Sequence, residues 1–350
     1  MSVDNCLYMK ILDKANVRNK RVLVRCDFNC PLDGKGNILD DYDIERTIPT
    51  IEYLVKKEAK VILISHLDRP EGKVVENLRL TPIQERLFEY LDLSILKAPD
   101  CRGEDVKKMT KGMMSGEILL LENLRFHKEE EENDGSFAKE LASLGDIFVN
   151  EAFGVCHRAH ASVVGIPNYL PSYAGFLLEE EVKTLSYILG KSKKPLVAVF
   201  GGVKASTKVP AIEKFLNIAD FILVGGKIAS EIKVSNPKLL LPEDYNQGLD
   251  IGERTIKKFK TIIQEAATVV WNGPMGYFEK EEFKKGTKEI AIEIAKSKAF
   301  KVAGGGETSL AISKYNLKDK FNFISVGGGA MLEFLAGKKL PGLAALSFYH

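Results

Sequence analysis

The sequence predicts an α/β protein of two domains, each a parallel β-sheet flanked by helices, joined by a hinge helix. Three observations carry this. Short runs rich in Val, Ile, Leu and Phe recur along all 350 residues, and runs apolar on both faces suit strands of a buried parallel sheet. Stretches of helical period alternate with them, which implies βαβ units with right-handed crossovers. One stretch breaks the rhythm: FLLEEEVKTLSYILG at 176–190 reads as a single amphipathic helix that stops at Gly190 and leads into polar KSKKP. The two halves are therefore expected to be Rossmann-like domains over 1–175 and 195–334, with 176–194 as helix and linker.

The expected elements follow in chain order. In the first half the strands are Val22–Arg25, Val61–Ser65, Ile118–Leu121, Ile147–Val149 and Ser162–Ile166, with helices at Glu45–Lys57, Pro82–Leu91 and Ser136–Leu144. In the second half the strands are Leu196–Phe200, Phe221–Val224, Thr268–Trp271, Phe300–Ala303 and Phe321–Val326. Its helices are Lys208–Asn217, Gly252–Ala267 and Thr287–Ser297. The strands run from three to six residues and the helices nine or more, in keeping with their classes.

Composition narrows the function classes. Apolar residues make up 45% and charged residues 28%, enough to build real cores, and a net charge of +2 gives no global pull toward nucleic acid or membrane. The cysteines are Cys6, Cys26, Cys30, Cys101 and Cys156, an odd number without C-x-x-C spacing, which fits reduced cytosolic thiols better than disulfides or zinc. MSVDNCLYMK has no leader pattern, and no apolar run approaches the ~18 residues of a membrane span. A cytoplasmic monomer that acts on small molecules is expected.

In open parallel sheets ligands bind beyond the carboxyl ends of the strands. The second half ends its strands in glycine: Gly201-Gly202-Val203-Lys204, Gly225-Gly226, Asn272-Gly273-Pro274-Met275-Gly276, Gly304-Gly305-Gly306-Glu307-Thr308 and Gly327-Gly328-Gly329. Such turns let backbone N–H groups approach a phosphate, and Lys204 and Lys208, four apart on a helix, can address one anion. None is a Walker A loop, and GGGETS fails the dinucleotide pattern, which argues against a nicotinamide-dependent dehydrogenase. The first half ends its strands in charge: Asp27 and Asn29, His66 and Arg69, Glu122, Asn123 and Arg125, then Asn150, Glu151, His157, Arg158 and His160. Arginine forks suit phosphate and carboxylate, so this half is expected to hold a small anion. The two histidines at 157 and 160 lack a third ligand for metal, and His127 and His350 are expected at the surface. A nucleotide half and a small-anion half suggest a small-molecule kinase that closes to exclude water.

At these residues the sequence resembles the phosphoglycerate kinase family. The matching stretches are RVLVRCDFNCPLD (21–33), SHLDRPEGK (65–73), LLLENLRFHKEEEEND (119–134), VNEAFGVCHRAHAS (149–162), FGGVKASTK (200–208), WNGPMGYFE (271–279), GGGET (304–308) and ISVGGGAMLEFLAGKKLPGLAAL (324–346). They run in the family's order over nearly the whole chain. The resemblance implies reversible phosphoryl transfer between 1,3-bisphosphoglycerate with ADP and 3-phosphoglycerate with ATP, using Mg2+. It implies phosphoglycerate binding by Asp27, Phe28, Asn29, His66, Arg69, Arg125 and Arg158. It assigns the nucleotide and the transferring phosphoryl group to Gly202, Val203, Lys204, Lys208, Gly225, Gly226, Asn272, Pro274, Gly305, Gly306, Glu307 and Thr308. Glu279 matches the ribose ligand and Glu307 the metal ligand. Lys204, Lys208, Gly305 and Gly306 would serve the transfer step, and residues 335–350 would return to pack on the N-terminal domain.

Several positions depart from the family pattern. Asp43, in DDYDIERT, falls where an arginine contacts the transferring phosphoryl group; by analogy with arginine fingers the loss costs ~10³–10⁵ in rate. Arg46 shares its helical face and is a candidate substitute. Asp68 replaces the glycine of HLGRP, Glu307 and Thr207 replace aspartates, Lys227 a glycine and Val326 a threonine. The stretch from Gly226 to Asn272 is short for the family, with one strand candidate, Lys238–Leu241, before PEDYNQGLDIG. These departures leave two expectations open, a slow kinase and a homologue that only binds nucleotide or phosphoglycerate.

Overall fold

The computed structural model of the chain describes residues Met9–Tyr349. Cys6, His350 and most of the segment MSVDNCLYMK lie outside them. The chain divides into two compact units, one reaching to Val182 and including the chain from Lys339 on, the other Lys183–Lys338. Among the described residues no helix is long and apolar enough to cross a membrane.

Among its described residues the first unit holds six strands: β1 (Arg21–Arg25), β2 (Lys60–Ile64), β3 (Ile95–Lys97), β4 (Ile118–Leu120), β5 (Ile147–Asn150) and β6 (Ser172–Ala174). They pair in parallel in the order β3-β4-β2-β1-β5-β6. Its helices are α1 (Tyr42–Lys56), α2 (Thr81–Leu91), α3 (Glu104–Gly112), α4 (Lys128–Glu131), α5 (Gly135–Ala142) and α6 (Phe176–Gly190), the last running on into the second unit. Alternation along each strand fills both faces. Val22, Val24, Val61 and Leu63 join Ile44, Ile51 and Leu54 of α1 in one cluster. Leu23, Ile62, Ile64 and Phe148 join Phe137 and Leu141 of α5 in the other. Each such side chain contributes roughly 1.5–3 kcal/mol on burial. Strand order reverses between β1 and β5, so a crevice opens where Arg25 sits opposite Asn150.

The second unit repeats the plan with β7 (Leu196–Phe200), β8 (Phe221–Val224), β9 (Leu239–Leu240), β10 (Tyr245–Asn246), β11 (Asp250–Ile251), β12 (Thr268–Asn272), β13 (Phe300–Gly304) and β14 (Phe323–Ser325). Six of these form a parallel sheet in the order β14-β13-β12-β7-β8-β9, and β10 and β11 form a separate antiparallel pair. The helices are α7 (Ala205–Ile218), α8 (Glu253–Gln264), α9 (Lys285–Lys296), α10 (Gly306–Lys314) and α11 (Gly329–Leu335). A final helix, α12 (Pro341–Ala345), belongs to the first unit, where Gly342 N–H donates to the Cys156 carbonyl at 2.9 Å. The shortened stretch thus consists of a 3-10 turn at Lys227–Ser230, β9, the β10–β11 pair and α8. Asp250 pins the pair down: buried, it accepts from Gly286 N–H at 2.7 Å and Ile251 N–H at 2.9 Å. Burial pushes its carboxyl up to about 6.

One expected strand is wrong. Residues 162–166 form helical turns, a π-type turn over Ala161–Gly165 and a 3-10 turn over Ile166–Asn168. Ser162 directs both its N–H (2.8 Å) and its hydroxyl (2.5 Å) to the Glu130 carboxylate rather than to a strand. Gly165 also lies so close to α5 that a Cβ there would stand 2.5 Å from Ala138 Cβ. The strand beside β5 is β6 instead.

Helix α6 starts on a buried carboxylate. Glu151, following β5, accepts from Leu177 N–H at 3.1 Å and Leu178 N–H at 3.0 Å, and takes the Thr50 hydroxyl of α1 as a third donor. Gly175 must lack a side chain, because a Cβ would come within 2.2 Å of that carboxylate. Burial outweighs these hydrogen bonds and raises the Glu151 carboxyl to about 7. An unfolded glutamate titrates near ~4.3, so the folded state holds an extra proton between the two values. The stability this group contributes is therefore complete below the unfolded value and is lost as pH rises through about 7. Urea unfolding at pH 5 and pH 8 should show Glu151→Gln losing less stability over that interval than the wild type; equal losses would mean that Glu151 titrates as an exposed carboxyl.

Candidate functional site

In the first unit the carboxyl ends of the strands gather a cationic pocket. Arg25, the last residue of β1, is fully buried, and His66 after β2 and Arg125 after β4 are nearly so. Arg125 belongs to a 3-10 turn, Leu124–Phe126, capped by Asn123, whose side chain also ties down Leu67 and Leu78. Its guanidinium reaches the Asp68 carbonyl at 2.7 Å and the Glu131 carboxylate at 3.3 Å. Asn29 accepts from Asp68 N–H at 2.7 Å, which joins the β1 loop to the β2 loop. Phe28, buried, anchors the same loop through its N–H to the Ser65 hydroxyl at 2.9 Å. Arg158 lies against His157, with Nε 3.3 Å from the ring Nε2, and Arg69 is exposed.

The pocket's electrostatics suit an anion. Burial pulls Arg125 down to about 10, with Arg25 and Arg158 pushing the same way against Glu131. Burial and then the arginines Arg125, Arg25 and Arg158 hold His160 down at about 3. Burial, with Arg25 and Arg125 next, holds His66 well below its ordinary value, so both rings are neutral. Asp27 is raised mainly by burial. Crowded cations gain from an anionic ligand that offsets their mutual repulsion.

Two substitutions take defined places. Asp43 lies in the first turn of α1, where the helix dipole favours a carboxylate, and its charge is felt at Cys30 beside the pocket loop. Arg46 pairs with Glu180 of α6 at 2.5 Å, with the Tyr42 ring 6.0 Å away. Its guanidinium is thus engaged by α6, and a role for it in place of the missing arginine has no support in this arrangement. Asp68 adopts φ +52°, a left-handed conformation that glycine takes without strain, and its side chain is exposed.

In the second unit the loops after β7, β8, β12 and β13 knit together. Gly202 N–H donates to Pro274 O at 2.7 Å, Gly226 N–H to Met275 O at 2.8 Å and Gly273 N–H to the Thr308 hydroxyl at 2.7 Å. The Asn272 side chain donates to Gly304 O at 2.7 Å. These glycines serve close loop packing: Gly273, at φ +97°, would place a Cβ 2.2 Å from Gly201 O. Their amides are spent within the protein, as is that of Gly225, which bonds Phe200 O. The first-turn amides of α10, at Gly306, Glu307 and Thr308 with Gly305 as cap, have no intrahelical acceptor, and the same holds for those of α7 at Ala205, Ser206 and Thr207. A Cβ at Gly202 would lie 3.0 Å from the Lys208 ammonium and 3.1 Å from the Glu307 carboxylate, so that glycine marks where both converge. Lys208 is buried and its pKa falls, chiefly through that burial, with Glu307 opposing and Lys204 reinforcing. Lys204 caps α7 and is exposed, as are Val203 and Glu279.

A cluster the sequence did not mark joins Asp100, Cys101 and His127, whose ligand atoms lie within 4.8 Å of one another. His127 Nε2 is 2.6 Å from the Asp100 carboxylate, a pairing that occupies both groups. Burial pushes the Cys101 thiol well up, away from the thiolate a metal needs. Sequence reasoning also passed over Glu130 and Ser162; nothing in the run of glutamates at 129–132 marks Glu130 as the fully buried one.

A family model described as Phosphoglycerate kinase matches residues 12–236 and 231–338. Its two pieces meet inside the short stretch between Gly226 and Asn272. The phosphoglycerate kinase of Coprothermobacter proteolyticus is 43% identical over 387 aligned positions, covering 97% of this chain and 98% of that one. That of Aquifex aeolicus is 42% identical over 392 positions, covering 97% and 98%. Among solved structures, phosphoglycerate kinase from Pyrococcus horikoshii OT3 superposes with a TM-score of 0.85 at 32% identity, covering 97% of this chain and 99% of that chain. The structure from Coxiella burnetii gives 0.81 at 35% identity, covering 97% and 99%.

The loop packing of the second unit gives a direct test. Gly273→Ala combines a left-handed backbone with a backbone clash and should destabilise the protein by roughly 2–4 kcal/mol. Thermal unfolding of the variant checks this, and an unchanged midpoint would show that the loops are looser than described.

Proposed function

The chain belongs to the phosphoglycerate kinase family, phosphotransferases of glycolysis, and we propose that it moves a phosphoryl group reversibly between 1,3-bisphosphoglycerate with ADP and 3-phosphoglycerate with ATP. The match over nearly the whole chain carries this reading. In it the pocket of the first unit holds phosphoglycerate through Asp27, Asn29, His66, Arg69, Arg125 and Arg158, with Phe28 setting the loop. The second unit holds the nucleotide at the start of α10 and around Gly202, with Lys204 and Lys208 on its phosphates and Glu279 on the ribose. The enzyme acts as a cytoplasmic monomer.

Mg2+ fits this donor set. Glu307 offers a hard carboxylate oxygen at the first turn of α10, next to the Lys208 ammonium, and Mg2+ takes few protein ligands when phosphates supply the rest. When bound, the ion neutralises charge on the phosphate oxygens. Lys208 does the same from the protein side: held by burial near Gly202, it stabilises charge spread over the equatorial oxygens of the transferring group. The α10 amides orient the same oxygens.

Asp43 makes this a slow version of the reaction, since an arginine's positive charge is replaced by a carboxylate and Arg46 is engaged by Glu180. A coupled assay on magnesium-supplied protein should detect turnover. Lys208→Ala should lower kcat by roughly 10²–10³. Asp43→Arg should raise it at least tenfold. Absence of turnover in folded wild-type protein overturns the reading, and an Asp43→Arg variant no faster than wild type overturns the assignment of the defect.

A further inference from the structure

Beneath the first-unit pocket runs a buried chain of polar groups whose hydrogen-bond polarity is fixed at every link. It begins at Glu130 of α4, which no solvent reaches. A carboxylate there only accepts, and it takes the Ser162 hydroxyl proton at 2.5 Å and the Ser162 N–H at 2.8 Å. With its proton so committed, Ser162 Oγ accepts from Arg25 Nε–H at 2.8 Å. Arg25 has donors only. One of its terminal nitrogens bonds the Cys26 carbonyl, and the other lies 3.2 Å from His66 Nδ1. That Nδ1 must therefore be the unprotonated nitrogen. Asp27 also approaches it, but at 3.7 Å, too far to compete with the guanidinium. The proton of the neutral ring sits on Nε2, which has no acceptor among the described residues.

We propose that Glu130, Ser162 and Arg25 are positioning residues that lock His66 in the Nε2–H form, so that the ring presents a neutral donor to the phosphoglycerate anion. The inference rests on the kinase reading for the identity of that anion. Glu130 is the origin of the chain. Its carboxylate lies 3.9 Å from the Arg25 guanidinium and 3.9 Å from His160 Nδ1, and it is the counter-charge that allows a guanidinium to stay in a fully buried place. Without it, Asp27, which already feels the Arg25 charge, is an alternative partner for the guanidinium, and that pairing would withdraw Asp27 from the pocket. The groups facing His66 are the cationic Arg25, Arg125 and Arg158, the neutral His160 and, on the other side, Asp27, so the ring stays neutral across the neutral range.

Long-range proton–nitrogen NMR of the His66 imidazole reads the tautomer directly. Wild-type protein should show Nε2 protonated and Nδ1 bare from pH 6 to 8, with the Nε2 signal shifting when 3-phosphoglycerate is added. Arg25→Met should turn the ring to the Nδ1–H form, facing Asp27. Ser162→Ala, which keeps both buried charges and so has the better prospect of folding, should give a mixture of tautomers. Losing one charge-assisted hydrogen bond, it should also raise KM for 3-phosphoglycerate roughly tenfold with KM for ATP unchanged. A purely structural role would move both KM values or neither, and either result overturns the proposal, as does a wild-type ring that is cationic or protonated on Nδ1. If the tautomer is as stated and answers to 3-phosphoglycerate while no turnover occurs, the positioning chain stands and the kinase reading falls.

Discussion

Parallel pairing aligns the carboxyl ends of all six strands of a sheet along one edge, and everything chemical in this protein follows from that alignment. In the first unit it brings Arg25, His66, Arg125 and the His157–His160 segment together from four different strands. In the second it brings Gly202, Gly226, Asn272 and Gly305 together from another four. Reversal of strand order at β1/β5 and at β7/β12 opens a gap in each row of loops where a ligand can sit. Hydrophobic burial on both sheet faces fixes the register, so the loops inherit their positions from the core.

Much of this was legible in the sequence, for identifiable reasons. Leu196–Phe200 and Phe221–Val224 are continuous apolar runs bounded by Pro195 or Asp220 on one side and glycine on the other, and the observed strands have those limits. Helix α6 likewise spans the expected Phe176–Gly190. The strands β3 and β6 escaped notice because three residues at a sheet edge carry little periodicity. Ser162–Ile166 misled because its apolar pattern also fits one helical turn, and the deciding factor, the Glu130 carboxylate thirty-two residues earlier, is a tertiary contact. The glycine-ended strands pointed correctly to the loops that converge. They did not show that several of those amides are taken up by bonds from one loop to another.

The two acidic substitutions differ in physical character. Asp68 occupies a left-handed turn that Asn29 and Arg125 hold by its backbone, so its cost is conformational and its charge faces solvent. Asp43 is at ease locally, in the first turn of α1, and on the proposed reading its cost would fall on the ligand instead. A residue can therefore suit its helix while working against the pocket, and local propensity alone gives no sign of the conflict.

The sheet borders have a further consequence. The outermost strands are β3, β6, β14 and β9, of three, three, three and two residues. A bare strand margin is a template on which another chain can polymerise, and brevity is one of the ways natural proteins blunt it. β9, the border strand beside the short stretch, offers only two residues to such a template, so that flank has little backbone on which another chain could pair.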